Sequence, residues 1–187
     1  MWALVESNNI TKIIRNPKGI SIGDVQYPSS IFTMWSSDEL KAVGLYPVTM
    51  DNTNFKDASG YINTEITYTV SGSEVVGAYG SATARPLADA LFTAQDETDG
   101  LGTEGEVKSR GMKSLEKEKV NGTASSMLEP TDWYALRAAD GGTAVPSNIA
   151  TYRAAVRTKA NTHHAAIDGA SDVDALIALV YDWPTAP

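Results

Sequence analysis

The spacing of apolar and polar positions changes along the chain, from a period of two near the front to a period close to 3.6 near the end. Over 62–70, apolar or β-branched residues alternate with polar ones, which predicts a strand. Ser71-Gly72-Ser73 supplies a turn, so 75–79 is predicted to return as the partner strand. Two more hairpins are predicted, from 2–5 and 10–14 around Asn8-Asn9, and from Ile20–Ile22 and Val25–Tyr27 around Gly23-Asp24.

One short helix is predicted between these strands. Ser36 and Glu39 form an S-x-x-E capping box, in which each side chain can accept a hydrogen bond from the other residue's backbone N–H. Gly44 closes the helix before Tyr46-Pro47. Residues 1 to about 80 are therefore predicted to be β-rich with a single helical interruption.

Helical spacing dominates the rest of the chain. A helix over about 147–168 is predicted between Pro146 and Gly169, because six residues three or four positions apart share one face. Those residues are Ile149, Tyr152, Val156, Ala160, His163 and Ile167. A last helix is predicted to run from a Ser171 cap until Pro184 stops it, and a Lys- and Glu-rich helix is predicted over 104–128, with Glu104 and Lys108 four positions apart.

These elements predict an α+β protein with two modules. Residues 1–100 form a β-rich docking module of hairpins with one short helix, which ends in a Gly-rich, acidic linker at 95–100. Residues 101–187 form a helical module of three or four helices.

Composition removes several classes of function. A net charge of −8 and a pI near 4.7 argue against nucleic-acid binding, which draws on Lys and Arg, although 108–119 could form a local basic face. The absence of cysteine excludes disulfides, thiolate nucleophiles and Cys-based zinc sites. We also expect no membrane association, because no apolar run approaches the roughly 18 residues that a spanning helix needs and the amino terminus lacks the features of a signal peptide.

No motif predicts a catalytic, cofactor-binding or metal-binding residue. Residues 100–105 read G-x-G-x-x-G, but acidic residues precede them where a dinucleotide site needs a buried strand, so a flexible linker is expected. His163 and His164 are adjacent, so on a helix they point about 100° apart and cannot chelate one ion together. We expect a packed His163 and an exposed His164, with a metal site shared between subunits as the alternative.

Carboxylates and serines also lack a catalytic arrangement. No G-x-S-x-G elbow is present, and four aspartates near the predicted helix ends are expected to cap N–H groups or stay hydrated. These are Asp132, Asp168, Asp172 and Asp174. The oxygen-rich segment 51–57 carries Phe55 and Lys56 where a calcium loop needs an oxygen ligand and a glycine. We expect no cofactor.

Aromatic residues and arginines form the candidate interface, because Trp, Tyr and Arg are enriched among interface hot spots. Its predicted members are Trp133, Tyr134, Arg137, Tyr152, Arg153 and Trp183. The alternative is an aromatic core seam along which the arginines reach outward, with Trp183 docked on the chain's own helices or on a neighbour.

The segment 130–155 reads PTDWYALRAADGGTAVPSNIATYRAA, with Thr131-Asp132-Trp133-Tyr134 before a Gly-Gly break and 152–157 after it. It resembles a helical segment of the tail assembly chaperones and tail-fibre assembly proteins of tailed bacteriophages, with marine phage virion proteins as the nearest likeness. The resemblance extends to 166–169 and 172–176, and at the front to 2–5 and 35–40, whereas 51–103 matches loosely.

The resemblance implies a non-enzymatic structural protein of the phage tail or tail-fibre attachment region, which acts by protein–protein docking. Its expected partners are other tail or tail-fibre proteins, it is expected to form a homo-oligomer within the virion, and it would be made in the cytoplasm of the host bacterium. One alternative is a transient tail-fibre assembly chaperone that is absent from the mature virion. Another is a small hydrolase that acts on a host surface polymer, which would need His163 and the clustered aspartates for activity.

Overall fold

The computed structural model describes all residues, Met1–Pro187, and the contacts divide them into two units. The first unit comprises Met1–Ala58 and Ile62–Thr83, and the second comprises Ser59–Tyr61 and Ala84–Pro187. Helices take up 38% of the residues and strands 24%, with strands concentrated in the first half and helices in the second, so the predicted α+β class is confirmed. Each unit has its own buried cluster of apolar side chains.

The first unit is built on a five-stranded sheet. The unit contains the strands β1 (Trp2–Glu6), β2 (Asn9–Ile14), β3 (Ile20–Ile22), β4 (Val25–Tyr27), β5 (Leu45–Asp51), β7 (Ile66–Ser71) and β8 (Glu74–Tyr79). The sheet order is β2-β1-β5-β8-β7, with β5 and β8 parallel and the other neighbours antiparallel, while β3 and β4 pair separately. Two short strands, β6 (Tyr61–Ile62) and β9 (Thr83–Ala84), contain the division between the units.

The three predicted hairpins are confirmed: the hairpin of β3 and β4 has the predicted bounds, and the other two have shifted ones. The first turns at Ser7 and Asn8, which both have positive φ, so it lies one residue earlier than predicted. In the last hairpin Gly72 has φ +58°, and the burial of β7 alternates as its sequence predicts. This strand begins at Ile66 instead of 62. Near its predicted start, the Asn63 side chain forms hydrogen bonds with the backbone N–H and carbonyl of Lys56, and these bonds compete with strand pairing.

Two helices cover the core of this unit, α1 (Ile31–Met34) and α2 (Ser37–Ala42), where the sequence predicts a single short helix. The predicted capping box is confirmed: Ser36 N–H donates to Glu39 Oε2 at 2.7 Å, and Glu39 N–H donates to Ser36 Oγ at 3.3 Å. Gly44 follows with φ +84°, and a Cβ there would lie 2.8 Å from the Val5 carbonyl oxygen. The buried cluster consists of Leu4, Ile14, Ile20, Ile31, Leu40 and Leu45.

The second unit is mainly helical. It contains β10 (Ala90–Leu91), α3 (Ala94–Thr98), β11 (Val107–Ser109), α4 (Met112–Leu128), a 3-10 turn (Glu129–Thr131), α5 (Asp132–Ala139), α6 (Ser147–Gly169) and α7 (Val173–Ile177). Helices α4 and α6 pack together around a core of Val120, Ala124, Tyr152, Val156, Ala160, Ile167, Ala170 and Leu176. The predicted apolar face of α6 is buried throughout. No helix of the chain combines the length and the apolar content that crossing a membrane requires.

The segment predicted as a linker near residue 100 is folded, so the boundary lies earlier than predicted. Thr93 and Asp96 form a capping box for α3, and the Asp96 carboxylate accepts from Lys108 Nζ at 2.7 Å. Strands β10 and β11 pair on either side of this helix. The contacts of 84–100 are therefore made within the helical unit, and the predicted pairing of Glu104 with Lys108 on a helix is wrong.

Helix α4 begins at Met112, not at 104. Its first turn is capped from outside the helix, because Asp89 accepts hydrogen bonds from Gly111 N–H at 2.6 Å and Ser114 Oγ at 2.8 Å. These bonds, with help from Arg110 and Lys117, hold the pKa of Asp89 below its usual value. A side chain at Gly111 would overlap the backbone of 87–88, so this residue permits the close approach.

Helix α7 is shorter than predicted. Its cap is Asp172, whose carboxylate accepts from Ala175 N–H at 2.8 Å, and not Ser171. The helix ends at Ile177, and 178–187 continue without helix or strand. The apolar pattern predicts further helical hydrogen bonds beyond Ile177. Residues of 178–187 make side-chain contacts instead.

Candidate functional site

A stacked group of aromatic side chains lies exposed on α5. The rings of Trp133 and Tyr134 are stacked, with centroids 3.7 Å apart and planes inclined by 30°. The Arg137 guanidinium lies over both rings, 4.8 Å from the Trp133 centroid and 5.4 Å from that of Tyr134. Trp133 is 49% exposed and Leu136 is 66% exposed. We call Trp133, Tyr134, Leu136 and Arg137 the α5 surface.

The sequence places these groups together because Arg137 follows Trp133 by one helical turn. A cation over an exposed aromatic face contributes about 0.5–1 kcal/mol, which holds a flexible arginine over rigid rings. The contact thus favours the stacked arrangement of Trp133, Tyr134 and Arg137 in the absence of a partner. An interface anchor with this property loses less side-chain entropy on binding.

A groove borders the α5 surface. Its volume is about 530 Å³, and its lining is predominantly apolar. The lining residues are Met127, Pro130, Thr131, Trp133, Tyr134, Ile149, Tyr152, Ala186 and Pro187. A partner's apolar or aromatic side chain fits such a groove, with the exposed edge of Trp133 beside it.

Tyr152 and Arg153 lie in the core, so the structure does not present them as part of an exposed interface. Tyr152 is 7% exposed and Arg153 is 9% exposed. Arg153 Nη1 donates to the Leu128 carbonyl at 3.0 Å and to Thr131 Oγ1 at 2.7 Å, and Nη2 lies 2.8 Å from Asp132 Oδ1. Both residues are buried because carbonyls at the end of α4 need donors, and these two side chains supply them. We call Arg153 and its three partners the Arg153 clamp.

Trp183 packs on the chain's own helix, as one of its two predicted alternatives states. The His163 ring meets the rings of Tyr181 and Trp183 edge-on, with both centroids 5.0 Å away. His163 Nε2 lies 2.9 Å from the Asp182 carbonyl oxygen, and Lys159 Nζ forms an ion pair with the Asp182 carboxylate. His163 is 4% exposed, so its predicted packing is confirmed. Its imidazole is used to hold the carboxy-terminal segment.

The aspartates near the helix ends have structural partners. Asp132 belongs to the Arg153 clamp and Asp172 caps α7. The Asp168 carboxylate lies 2.6 Å from Lys117 Nζ, which lowers the pKa of Asp168. Asp174 accepts a hydrogen bond of 2.8 Å from the Tyr61 hydroxyl, and this bond raises the pKa of Tyr61. The four carboxylates thus hold helices and turns in place.

The remaining candidate positions have local roles as well. His164 is half-buried, with an Nε2 atom that makes no hydrogen bond, so the prediction of an exposed side chain is wrong. Asp51 accepts hydrogen bonds from Thr53 N–H at 2.9 Å and from Thr53 Oγ1 at 2.6 Å. These bonds form a turn at the start of the oxygen-rich segment 51–57. Nowhere do three or more His, Asp or Glu side chains converge as metal ligands do.

Sequence reasoning did not identify Leu136 or the groove. Leu136 was missed because an exposed leucine in a short helix carries no sequence signal. Comparison of the chain with protein-family models, with curated proteins and with solved structures finds no match. The resemblance to phage tail assembly proteins therefore stays a prediction, and inferences about function rest on the surfaces of the chain.

Proposed function

We propose that this chain is a non-enzymatic structural protein of the tail or tail-fibre attachment region of a tailed bacteriophage, and that it acts by docking on neighbouring proteins. The observation that carries the proposal is the α5 surface beside its apolar groove. This surface lies within the segment 130–155 that resembles phage tail assembly proteins. The proposed partners are other tail or tail-fibre proteins and further copies of the chain.

The residue types and their exposure support a docking role. Tryptophan, tyrosine and arginine account for a large share of interface hot spots, and here they form one ordered stack. A half-exposed Trp133 next to a largely exposed Leu136 offers apolar area that water does not solvate favourably. Burying this area against a partner is the main contribution we assign to binding.

The polar side chains of the helical unit also favour docking over catalysis. His163 is occupied by the carboxy-terminal segment, and Asp132, Asp168 and Asp172 cap or brace helices. A hydrolase would need such groups to converge on a space that admits substrate. The groove beside the α5 surface is lined instead by apolar side chains, one hydroxyl-bearing threonine and two tyrosines.

The test is incorporation into particles. Phage would be grown with the wild-type chain, with Trp133→Ala and with Met34→Ala, and the copy number in purified particles would be measured by quantitative mass spectrometry. Met34 is the matched control, because it is an apolar residue of the first unit and is 79% exposed. Truncation of a hot-spot aromatic weakens binding by about 2 kcal/mol or more, roughly thirty-fold.

We expect the wild-type and Met34→Ala chains in the particles at equal copy number, and the Trp133→Ala chain strongly reduced. Absence of the wild-type chain from purified particles would contradict a structural role. In that case co-expression decides on the chaperone alternative, which requires tail-fibre protein to be soluble only when this chain is present.

A further inference from the structure

Residues 178–187 lie along α6 as an extended segment with no secondary structure of their own. Beyond Leu179, no backbone N–H of this segment donates to another backbone carbonyl. Side chains of α6 hold it instead: His163 and Lys159 contact Asp182, and the His163 ring packs between Tyr181 and Trp183. We call residues 178–187 the arm.

The arm follows α6 from its end towards its beginning. Tyr181 to Trp183 meet the helix near His163, and the last residues reach its first turns. At that end an open pocket of about 450 Å³ is lined on one side by α6 and on the other by Pro184, Thr185 and Pro187. We call the strip of α6 that receives the arm the arm groove, lined by Ser147, Asn148, Thr151, Tyr152, Ala155, Lys159 and His163.

A hinge connects the arm to α7. The helix ends at Ile177, and Leu179 packs against the core of the helical unit, whereas Val180 is 88% exposed, so the direction of the chain is least constrained at Val180. At about 3.3 Å per extended residue, the ten residues of the arm can span about 33 Å from the end of α7. The arm is therefore long enough to reach the groove of an adjacent molecule.

We propose that the arm is exchangeable: it leaves the arm groove of its own chain and occupies the same groove of a second copy. Each copy then donates one arm and receives one, which gives a closed two-fold dimer. The ion pair at Lys159, the bond at His163 and the ring contacts all form again in the dimer, so exchange costs no specific contact. The exposed Val180 of each hinge adds apolar surface that the second copy can cover. This inference does not depend on the proposed function.

Concentration governs which groove is filled. A tethered arm meets its own groove at an effective concentration in the millimolar range, so the closed monomer dominates in dilute solution. Exchange becomes favourable when the chain is concentrated or when the hinge is too short for the arm to fold back. Both conditions can be imposed experimentally.

The first experiment uses cross-linking between differently labelled copies. The chain has no cysteine, so Lys159→Cys and Asp182→Cys, made in separate chains, carry single thiols on the two sides of the contact. The two proteins are mixed at high concentration, incubated and treated with a short bismaleimide. The matched control mixes Lys159→Cys with Asp24→Cys, which makes the same carboxylate-to-thiol change at an exposed position of the first unit.

Exchange predicts a heterodimer linked between positions 159 and 182, in a yield roughly tenfold above the control, because a seated arm raises the local thiol concentration. Mass spectrometry of the linked peptides identifies the positions. A further chain carries Lys159→Cys and Asp182→Cys together and reports linkage within one molecule. An efficient link within that chain, with a heterodimer yield equal to the control in the mixture, would show that the arm stays on its own chain and would overturn the proposal.

The second experiment shortens the hinge at its exposed residue. Deletion of Val180 keeps Leu179 and every residue that contacts the arm groove, and it prevents the arm from folding back in register but allows it to reach a second copy. We expect a dimer by light scattering at concentrations where the full chain is a monomer. A deletion variant that stays monomeric, with helical circular dichroism like that of the full chain, would contradict arm exchange.

Discussion

Replacement of Arg153 by methionine tests the Arg153 clamp. Methionine keeps an unbranched apolar side chain in the core but removes the guanidinium, and with it the bonds to the Leu128 carbonyl and Thr131 Oγ1 and the ion pair with Asp132. We expect the free energy of unfolding of the helical unit to fall. The effect should exceed that of removing an arginine from the surface of the same helix.

The magnitude follows from the surroundings of each contact. A hydrogen bond to a charged group contributes about 1.5–3 kcal/mol, and the two bonds of Nη1 are buried or partly buried. The Asp132 side chain is 54% exposed, so its ion pair adds only about 0.2–1 kcal/mol. The Leu128 carbonyl also accepts from Thr131 Oγ1 at 2.8 Å, so it keeps a partner in the variant. The expected loss is therefore about 2–4 kcal/mol, below the full sum.

Urea unfolding followed by circular dichroism at 222 nm measures the loss, because α4, α5 and α6 all lie in the helical unit. With a slope of about 2 kcal/mol per molar, the midpoint should fall by about 1–2 M. The matched control is Arg157→Met, an exposed arginine on the same helix, which should change stability by about 0.5 kcal/mol or less. Equal midpoint shifts for the two variants would refute the clamp.

Three further predictions test other parts of the fold. Gly60→Ala should destabilise the helical unit by about 1–3 kcal/mol, because a methyl group at this position overlaps side chains of α7. Gly122→Ala should stabilise the unit by about 0.5–1 kcal/mol, because position 122 in α4 has open space around it and alanine favours a helix over glycine. Urea midpoints measure both changes. Hydrogen bonds from Lys108 and from the turn lower the pKa of Asp96 from 3.8 to about 2, so their stabilising effect is full above pH 4 and is lost as the pH falls towards 2. Lys108→Met should raise that pKa towards its ordinary value in a carboxyl NMR titration, and an unchanged value would contradict the assignment. Ser36→Ala should lower the stability of α2 by about 0.5–2 kcal/mol, seen as faster amide exchange in that helix.

The elements that the sequence predicts well are those whose determinants are close together in the chain. The capping box can be predicted from Ser36 and Glu39 alone, which lie three positions apart, and the buried face of α6 from the repeat of apolar residues within the helix. The hairpins of β1–β2, β3–β4 and β7–β8 also depend on local turns. For these elements, local preference and the final packing agree.

The elements that it predicts poorly depend on residues far apart in the chain. Helix α4 begins at Met112 because Asp89, more than twenty residues earlier, caps its first turn. Parallel pairing of β5 with β8 likewise follows from packing between distant segments, which leaves no mark in the alternation of either strand. Helix α7 stops at Ile177 because Asp182 and Trp183 bind α6, although the apolar pattern itself continues.

The candidate interface separates into a buried part and an exposed part for a reason that spacing does not encode. Arg137 and Arg153 both lie beside aromatic residues, yet only Arg153 faces the carbonyls at the end of α4. Arg153 is drawn inward by those acceptors, whereas Arg137 finds its favourable surroundings on the exposed faces of Trp133 and Tyr134. The position of the Arg137 stack therefore depends on Arg153. By holding Thr131 and Asp132, Arg153 fixes the first turn of α5, and a fixed first turn keeps the stacked rings in one orientation for a partner.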